Sequence, residues 1–404
     1  MEKLLARPQY LDQLISFKDK KLIKVVTGIR RCGKSTLLDL FMEDLKAQGV
    51  EDNQIIFINM EDPDYSELED YKKLYNFIKE RLCEDQMNYI IIDEVQAVVD
   101  FQKVVDGLYI KRYCDVYITG SNSQILSGEL ATLLSGRYVE IKMLPLSFRE
   151  YIDALGDKTD LIIKYRNYLE NSSFPYTLEL EKKKDIRAYL SGIYDSVILN
   201  DIVAREKITD IAGLKSVTRF VFDNIGNFTS ATSIANKMAD IGRSKSVHTV
   251  DNYLNALTES FVLYKAYKYD IKGKEQLINR AKYYVSDIGL RYFLLGTKQV
   301  DSGHILENIV YLELIRRGYE VYVGKIGNAE VDFIAIGESG EEYYQVAYTV
   351  LGENLSGKTV LERELTPLDA IKDHNPKYLI TMDFTPNVSY NGIKQINALD
   401  WLLG

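Results

Sequence analysis

Residues 28–35 read Gly-Ile-Arg-Arg-Cys-Gly-Lys-Ser, a complete G-x-x-x-x-G-K-S phosphate loop. No other stretch constrains the fold as tightly, because this string works only between a strand and a helix. Both flanks are present. Leu22-Ile23-Lys24-Val25-Val26-Thr27 reads as a buried strand, and Thr36-Leu37-Leu38-Asp39-Leu40-Phe41 opens an amphipathic helix. In that setting the backbone of Gly28, Ile29, Arg30, Arg31, Cys32 and Gly33, with the helix start at Lys34, Ser35 and Thr36, offers N–H groups to a nucleoside triphosphate. Lys34 is expected at the β- and γ-phosphates, and the Ser35 hydroxyl on Mg²⁺.

A second strand supplies carboxylates. Tyr89-Ile90-Ile91-Ile92-Asp93-Glu94 is a continuous apolar run of the kind a central parallel strand needs. Asp93 at its carboxyl end is placed to hold Mg²⁺ with Ser35, and Glu94 to act as general base on the attacking water. Val116-Tyr117-Ile118-Thr119-Gly120 leads into Ser121-Asn122-Ser123 at the edge where open α/β sheets bind ligands. Asn122, with Ser121 close behind, is the candidate to reach the γ-phosphate or the water, although a turn needing Gly and Asn explains the same letters. Gln54-Ile55-Ile56-Phe57-Ile58-Asn59 is a strand ending in an amide, which either restrains Glu94 or merely turns the chain.

These motifs, followed by Leu134-Ser135-Gly136-Arg137-Tyr138, resemble an AAA+ module of the additional-strand P-loop superfamily. The resemblance implies an α/β fold with a parallel sheet, ATP as the nucleotide, and a homo-oligomer, a ring by expectation. In it Arg137 is the arginine-finger candidate, whose planar fork suits developing phosphoryl charge; the bland account is a surface arginine pairing with Glu140. Pro145-Leu146-Ser147-Phe148-Arg149-Glu150 and Glu330-Val331-Asp332-Phe333 are similar to those of prokaryotic AAA+ ATPases whose C-terminal domain resembles the PD-(D/E)XK nuclease fold. The expected organisation is an ATPase core over 1–146, a helical lid over 147–210, a winged helix over 211–280 and a nuclease-like domain over 281–404. The lid should carry a second sensor arginine. No G-x-x-R marks it, and Arg205 is the best candidate. Arg7 and Tyr10 are candidates to flank the adenine.

In the winged-helix region, Ser230 and Ser246 read as N-caps, and Val250, Leu254 and Leu257 share one face of the third helix. That helix would offer Lys245, His248, Thr249 and Asn252 to double-stranded DNA, with Arg243 on a phosphate and Asp251 opposing it. In the C-terminal region the nuclease resemblance places Glu307, Asp332 and Gln345 as ligands of a second metal. Ala347 stands where the motif has lysine, and a methyl group can neither orient water nor stabilise developing charge. The domain is therefore expected to be inactive, unless Lys325 substitutes from a neighbouring strand. Glu362, Arg363, Glu364 and Lys377 read as structural.

Composition fits this organisation. The 404 residues suffice for two or three domains, and 46 % hydrophobic with 27 % charged is ordinary for globular protein. No apolar run reaches the roughly 18 residues of a membrane span, and the beginning of the chain lacks a signal-peptide apolar region, so the cytoplasm is the expected location. Cys32, Cys83 and Cys114 are too scattered for a disulfide framework or a zinc site, and three histidines (His248, His304, His374) make no metal site. Cys32 either confers thiol sensitivity or fills space. The net charge of −9 argues against an overall basic coat but leaves local patches open. The sequence thus points first to an ATP hydrolase acting on nucleic acid. The alternative is an ATP-gated switch or scaffold with a protein partner, and the third reading is an ATP-regulated DNase.

Overall fold

The computed structural model describes residues 5–126, 136–296, 301–352, 359–384 and 388–404, without the side chains of 198–200 and 278–280. Leu134 and Ser135 of the segment before Arg137 lie outside the described residues. The chain forms two compact units, Met1–Pro145 with Glu259–Phe261, and Leu146–Thr258 with Val262–Gly404.

The first unit is built on five parallel strands: β1 (Ile23–Thr27), β2 (Ile55–Asn59), β3 (Asn88–Asp93), β4 (Cys114–Gly120) and β5 (Tyr138–Lys142). Their order is β2-β3-β4-β1-β5. β4 therefore separates the strand feeding the phosphate loop from the strand ending at Asp93, the additional-strand order. Every residue of β1, β3 and β4 is buried, as continuous apolar runs require when both faces are covered. Side chains alternate between the faces. Ile23, Val25, Ile90, Ile92 and Ile118 pack with Leu74 and Ile78 of the helix Tyr71–Lys79 and with Val104 and Leu108 of Phe101–Ile110. Tyr117 faces the other way and meets Phe41, from the helix Lys34–Ala47, with ring centroids 4.6 Å apart. Each fully buried aliphatic or aromatic side chain contributes about 1.5–3 kcal/mol of transfer free energy.

One polar cluster breaks the apolar rule, at the amino-terminal edge of this sheet. Lys24 of β1 is fully buried and hydrogen-bonded to Asp115 of β4. Lys24 also donates to the Lys20 carbonyl at 3.0 Å, while Asp115 accepts from the Tyr117 hydroxyl at 2.8 Å and the Asp19 N–H at 2.9 Å. Burial pulls the pKa of Lys24 down and pushes that of Asp115 up, so desolvation outweighs their mutual attraction.

The second unit begins with the helices Phe148–Leu155, Leu161–Asn171 and Lys183–Asp195. Three more follow, Ile211–Asp223, Ala231–Asp240 and Val247–Glu259. Ser230 Oγ caps the second of these by accepting the Ser233 N–H at 3.1 Å, and Ser246 Oγ accepts the Thr249 N–H at 3.0 Å, as the caps read from sequence require. β6 (Phe228–Thr229), β7 (Leu263–Asp270) and β8 (Glu275–Val285) form an antiparallel set with β8 central. The sheet continues through β9 (Glu320–Ile326), β10 (Ala329–Gly337), β11 (Gly340–Ala347), β12 (Lys377–Thr381), β13 (Val388–Tyr390) and β14 (Ile393–Asn397). All nine strands are joined in the order β13-β14-β12-β11-β10-β9-β7-β8-β6. β8 spans the boundary expected at 280. The helix Ser302–Arg316 is buried without interruption from Ile305 to Leu312. β10 breaks register with β9 between Val331 and Ile334, a bulge that frees Asp332 from that ladder.

Asp115→Ala would strand the Lys24 ammonium in the interior. The expected cost is about 3–5 kcal/mol, read as a lowered midpoint in denaturant unfolding. The phosphate loop lies at the opposite edge of the sheet, so nucleotide affinity of the folded fraction should stay unchanged.

Candidate functional site

The phosphate loop turns on two glycines. Gly33 takes φ 104°, and a Cβ at Gly28 would stand 2.2 Å from the Met143 carbonyl oxygen. Arg31 and Glu94, neither of them glycine, also take left-handed φ values of 68° and 52°. Such backbone is costly and concentrates at functional sites. Ile29 and Cys32 are buried, Thr36 is half-buried, and Arg31 and Ser35 are exposed. The helix starts at Lys34, two residues earlier than its apolar pattern suggests, and leaves the loop amides at its positive end.

Four side chains converge at the carboxyl edge of the sheet. Lys34 Nζ lies 3.2 Å from Glu94 Oε1 and donates to the Gly28 carbonyl at 3.2 Å. Ser35 Oγ donates to Asp93 Oδ2 at 2.6 Å. Burial works against the Lys34 ammonium, but Glu94 beside it holds its pKa above the ordinary value. Burial likewise pushes Glu94 up, and Lys34, with hydrogen bonds from Gln96, Lys34 and Ser121, holds it below. The two shifts agree: lysine and glutamate both stay charged at neutral pH.

Three residues around this centre take roles that periodicity and spacing do not reveal. The Thr119 hydroxyl donates to Asp93 Oδ1 and accepts the Glu94 N–H at 3.0 Å, so one buried group orients both acids. Gln96 donates to Glu94 Oε2 and, at 3.3 Å, to Ser121 Oγ. Asn59 does not reach Glu94, because its Oδ1 accepts the Glu61 N–H at 2.9 Å in a local turn. The restraint on Glu94 comes instead from Gln96. Arg7, the third, was expected at the adenine. It is buried, and its guanidinium donates to the Cys32 carbonyl at 3.0 Å and the Leu144 carbonyl at 2.8 Å. Tyr10 Oη accepts the Leu144 N–H at 3.2 Å. These bonds tie Arg7 to the loop at Cys32 and both residues to Leu144.

Asn122 is buried at the end of β4, and its Oδ1 has no hydrogen-bond partner among the described residues. Arg30 pairs with Glu61. Arg137 is 45 % exposed and pairs at 2.8 Å with Asp106, not with Glu140, which accepts from the Thr27 hydroxyl at 2.7 Å. Burial raises the pKa of the Cys32 thiol, so this cysteine fills space and is poorly reactive. Arg205 donates to Glu206 at 2.8 Å and to the Ala256 carbonyl at 3.4 Å.

On the third helix of the 211–259 region, His248 and Asn252 are exposed and hydrogen-bonded to each other at 3.3 Å. Asp251 is exposed beside them, and Thr249 is half-buried against its cap Ser246. Arg243 donates to Ser216 Oγ. Lys245 pairs at 2.5 Å with Asp210, whose carboxyl its hydrogen bond holds below the ordinary value.

Glu307, Asp332 and Gln345 do meet, in a cleft of about 540 Å³ that Glu330, Ala347, Arg363 and Glu364 also line. Lys325 lies 3.9 Å from Asp270. The lysine that meets this group is Lys282 of β8, with Nζ 2.8 Å from both Glu307 Oε1 and Glu330 Oε1. A lysine on a strand far from the Glu-x-Asp and Gln-x-Ala segments has no motif to betray it. Glu364, expected to be merely structural, joins the cleft by accepting from the Gln345 amide at 2.8 Å. Glu362 closes a helix cap with Thr359, and Lys377 pairs with Asp373 at 3.2 Å.

Residues 20–152 match the family described as AAA domain, and residues 162–301 a domain of unknown function, DUF8612. An uncharacterized protein of Haemophilus influenzae is 41 % identical over 404 residues, 99 % of each chain. An uncharacterized protein of Methanocaldococcus jannaschii, MJ1544, is 30 % identical over 375 residues, covering 87 % of this chain and 79 % of its own. Among solved structures, the Walker-type ATPase PABY2304 of Pyrococcus abyssi aligns with a TM-score of 0.48 at 14 % identity, over 72 % of this chain and 96 % of its own. The first unit has the α/β fold of an AAA-type P-loop ATPase.

Thr119→Val keeps the shape of a buried side chain and removes its hydroxyl. With Asp93 Oδ1 and the Glu94 N–H left unpaired, a loss of about 1–3 kcal/mol is expected in thermal or denaturant unfolding.

Proposed function

This chain belongs to the same protein family as the Haemophilus influenzae and Methanocaldococcus jannaschii proteins and carries an AAA domain, and we propose that it is a cytoplasmic Mg-dependent ATP hydrolase that couples turnover to conformational change. One observation carries the reading: Lys34 and Ser35 of the loop touch Glu94 and Asp93 at one sheet edge. The Ser35 hydroxyl and the Asp93 carboxylate are the hard oxygen donors that suit Mg²⁺, which when bound neutralises charge on the β- and γ-phosphates. Triphosphate oxygens draw Lys34 away from Glu94, and the ionised Glu94 then accepts the proton of the attacking water. Asn122, whose Oδ1 is unpartnered, accepts from that water and holds it in line. Gln96 and Thr119 keep the two acids oriented.

Arg137, exposed at the surface, completes the site of a neighbouring copy in a ring-shaped homo-oligomer. The succession of three helices and a β7–β8 hairpin supports a winged helix in the second unit. The helix, three antiparallel strands, helix and parallel strand from Ser302 to Thr381 support the nuclease-like fold. Double-stranded DNA is the proposed partner of Arg243, Lys245, His248, Thr249 and Asn252. A second reading, an ATP-gated switch with a protein partner, is favoured by the way Lys245 and Arg243 are tied to Asp210 and Ser216.

Glu94→Gln should lower kcat by about 10²–10⁴ while ATP still binds. Equal turnover by the variant and the wild type would sink the hydrolase reading. Steady-state turnover with and without double-stranded DNA separates the two partners. Stimulation that vanishes in Arg243→Ala, Lys245→Ala supports action on DNA, and turnover indifferent to DNA supports the switch.

A further inference from the structure

The carboxylate cleft of the second unit takes no part in the proposed hydrolysis, and its fork of helix and strands is of a shape that suits a divalent metal in a nuclease-like fold. One oxygen of each candidate ligand is already engaged. Glu307 Oε1 accepts from both Lys282 Nζ at 2.8 Å and the Tyr284 hydroxyl at 2.7 Å. Asp332 Oδ2 accepts the Val346 N–H at 2.8 Å, and its Oδ1 lies 4.0 Å from Lys282 Nζ. Gln345 turns its Oε1, the one ligand atom it owns, to the Asp332 N–H at 3.3 Å. Glu330 Oε1 is 2.8 Å from the same ammonium. Among the described residues no group of three or more His, Cys, Asp or Glu is arranged to hold a metal ion.

We propose that the Lys282 ammonium is the resident cation of this cleft, standing where a divalent metal would stand and closing the site to Mg²⁺ and Mn²⁺. The charges are consistent with that. Burial works against the ammonium, yet Glu307, Asp332 and Glu330 hold its pKa above the ordinary lysine value. Burial and then Glu307 push Asp332 well above the usual carboxylate range, and one ammonium bridges Glu307 and Glu330. A divalent ion entering this centre would first have to displace the ammonium from its 2.8 Å contacts with Glu307 and Glu330, and while Lys282 stays it repels that ion. The consequence is that the second unit keeps a nuclease-like frame without metal-dependent cleavage. This inference does not depend on the ATPase reading.

Mn²⁺ uptake by the full-length chain, followed by the loss of its free-ion electron paramagnetic resonance signal, tests the proposal. Ser35→Ala is carried throughout and nucleotide is omitted, so that the phosphate loop contributes nothing. The Lys282-containing chain should take up no Mn²⁺ below about 1 mM, a weak-site concentration, and Asp332→Asn should behave identically. Lys282→Met should gain a site at least about a hundredfold tighter, with Mn²⁺ raising its thermal midpoint. Micromolar uptake by the Lys282-containing chain that disappears in Asp332→Asn overturns the proposal. So does a folded Lys282→Met protein that takes up no Mn²⁺. If Lys282→Met fails to fold, the comparison with Asp332→Asn still decides.

Discussion

The hydrogen bond from Ser35 to Asp93 ties the end of the phosphate loop to the end of β3, two strands away. β4 lies between β1 and β3 and carries Thr119 at the height of Asp93. The Thr119 hydroxyl bridges Asp93 and the Glu94 amide, so the strand that separates the two motifs also couples them. Glu94 then leaves the strand at φ 52°. That turn sends one acid to the serine and the next to the lysine, and consecutive residues acquire different chemistry. The buried apolar faces of β1, β3 and β4 hold the three strand ends in this register, and Thr119 and Gln96 orient the acids upon them.

The second unit uses a different device. Asp332 sits where β10 loses register with β9 and where its pairing with β11 has not yet begun, since the β10–β11 ladder opens at Phe333 and Tyr344. A strand residue relieved of ladder partners is free to present its carboxyl, and here it takes the Val346 amide from across the opening. Glu307 arrives from a helix buried along nearly its whole length. A charged residue in that position needs a partner, and Lys282 and Tyr284 on β8 provide it.

The parts of this architecture that were legible in sequence are those that depend on local pattern. The strand–loop–helix around Lys34, the apolar run into Asp93 and Glu94, and the caps Ser230 and Ser246 all follow from spacing and residue type. The Glu307, Asp332 and Gln345 grouping followed from family resemblance, and the fold brings those residues to one cleft. What escaped were roles set by a side chain reaching across the fold without a motif to mark it. Asn59 ends a strand next to β3, as a restraint on Glu94 would, yet a local turn takes its amide and Gln96 holds Glu94 instead. Arg7 precedes the first strand, as an adenine contact would, but its guanidinium is long enough to pass behind the loop to Cys32 and Leu144. Lys282 is 50 residues from Asp332, in a strand that no motif marks. Contacts of this kind depend on tertiary register, and no window of sequence contains them.

Both centres place a lysine against carboxylates, and the difference between them lies in what can compete for the ammonium. Lys34 is held by Glu94 at the mouth of a loop lined with N–H groups at a helix N-terminus, a field that attracts anions. A triphosphate therefore enters with many favourable contacts already in place, and drawing the lysine from Glu94 costs little against them. Lys282 lies beneath a cleft lined by Glu307, Glu330, Asp332 and Glu364. An anion approaching it meets carboxylates first, with Arg363 already paired to Glu364. The first ion pair is therefore exchangeable and the second is not. An exchangeable lysine–glutamate pair can report the arrival of nucleotide by releasing an acid, whereas a pair sealed under its own carboxylates can only hold a helix to a sheet.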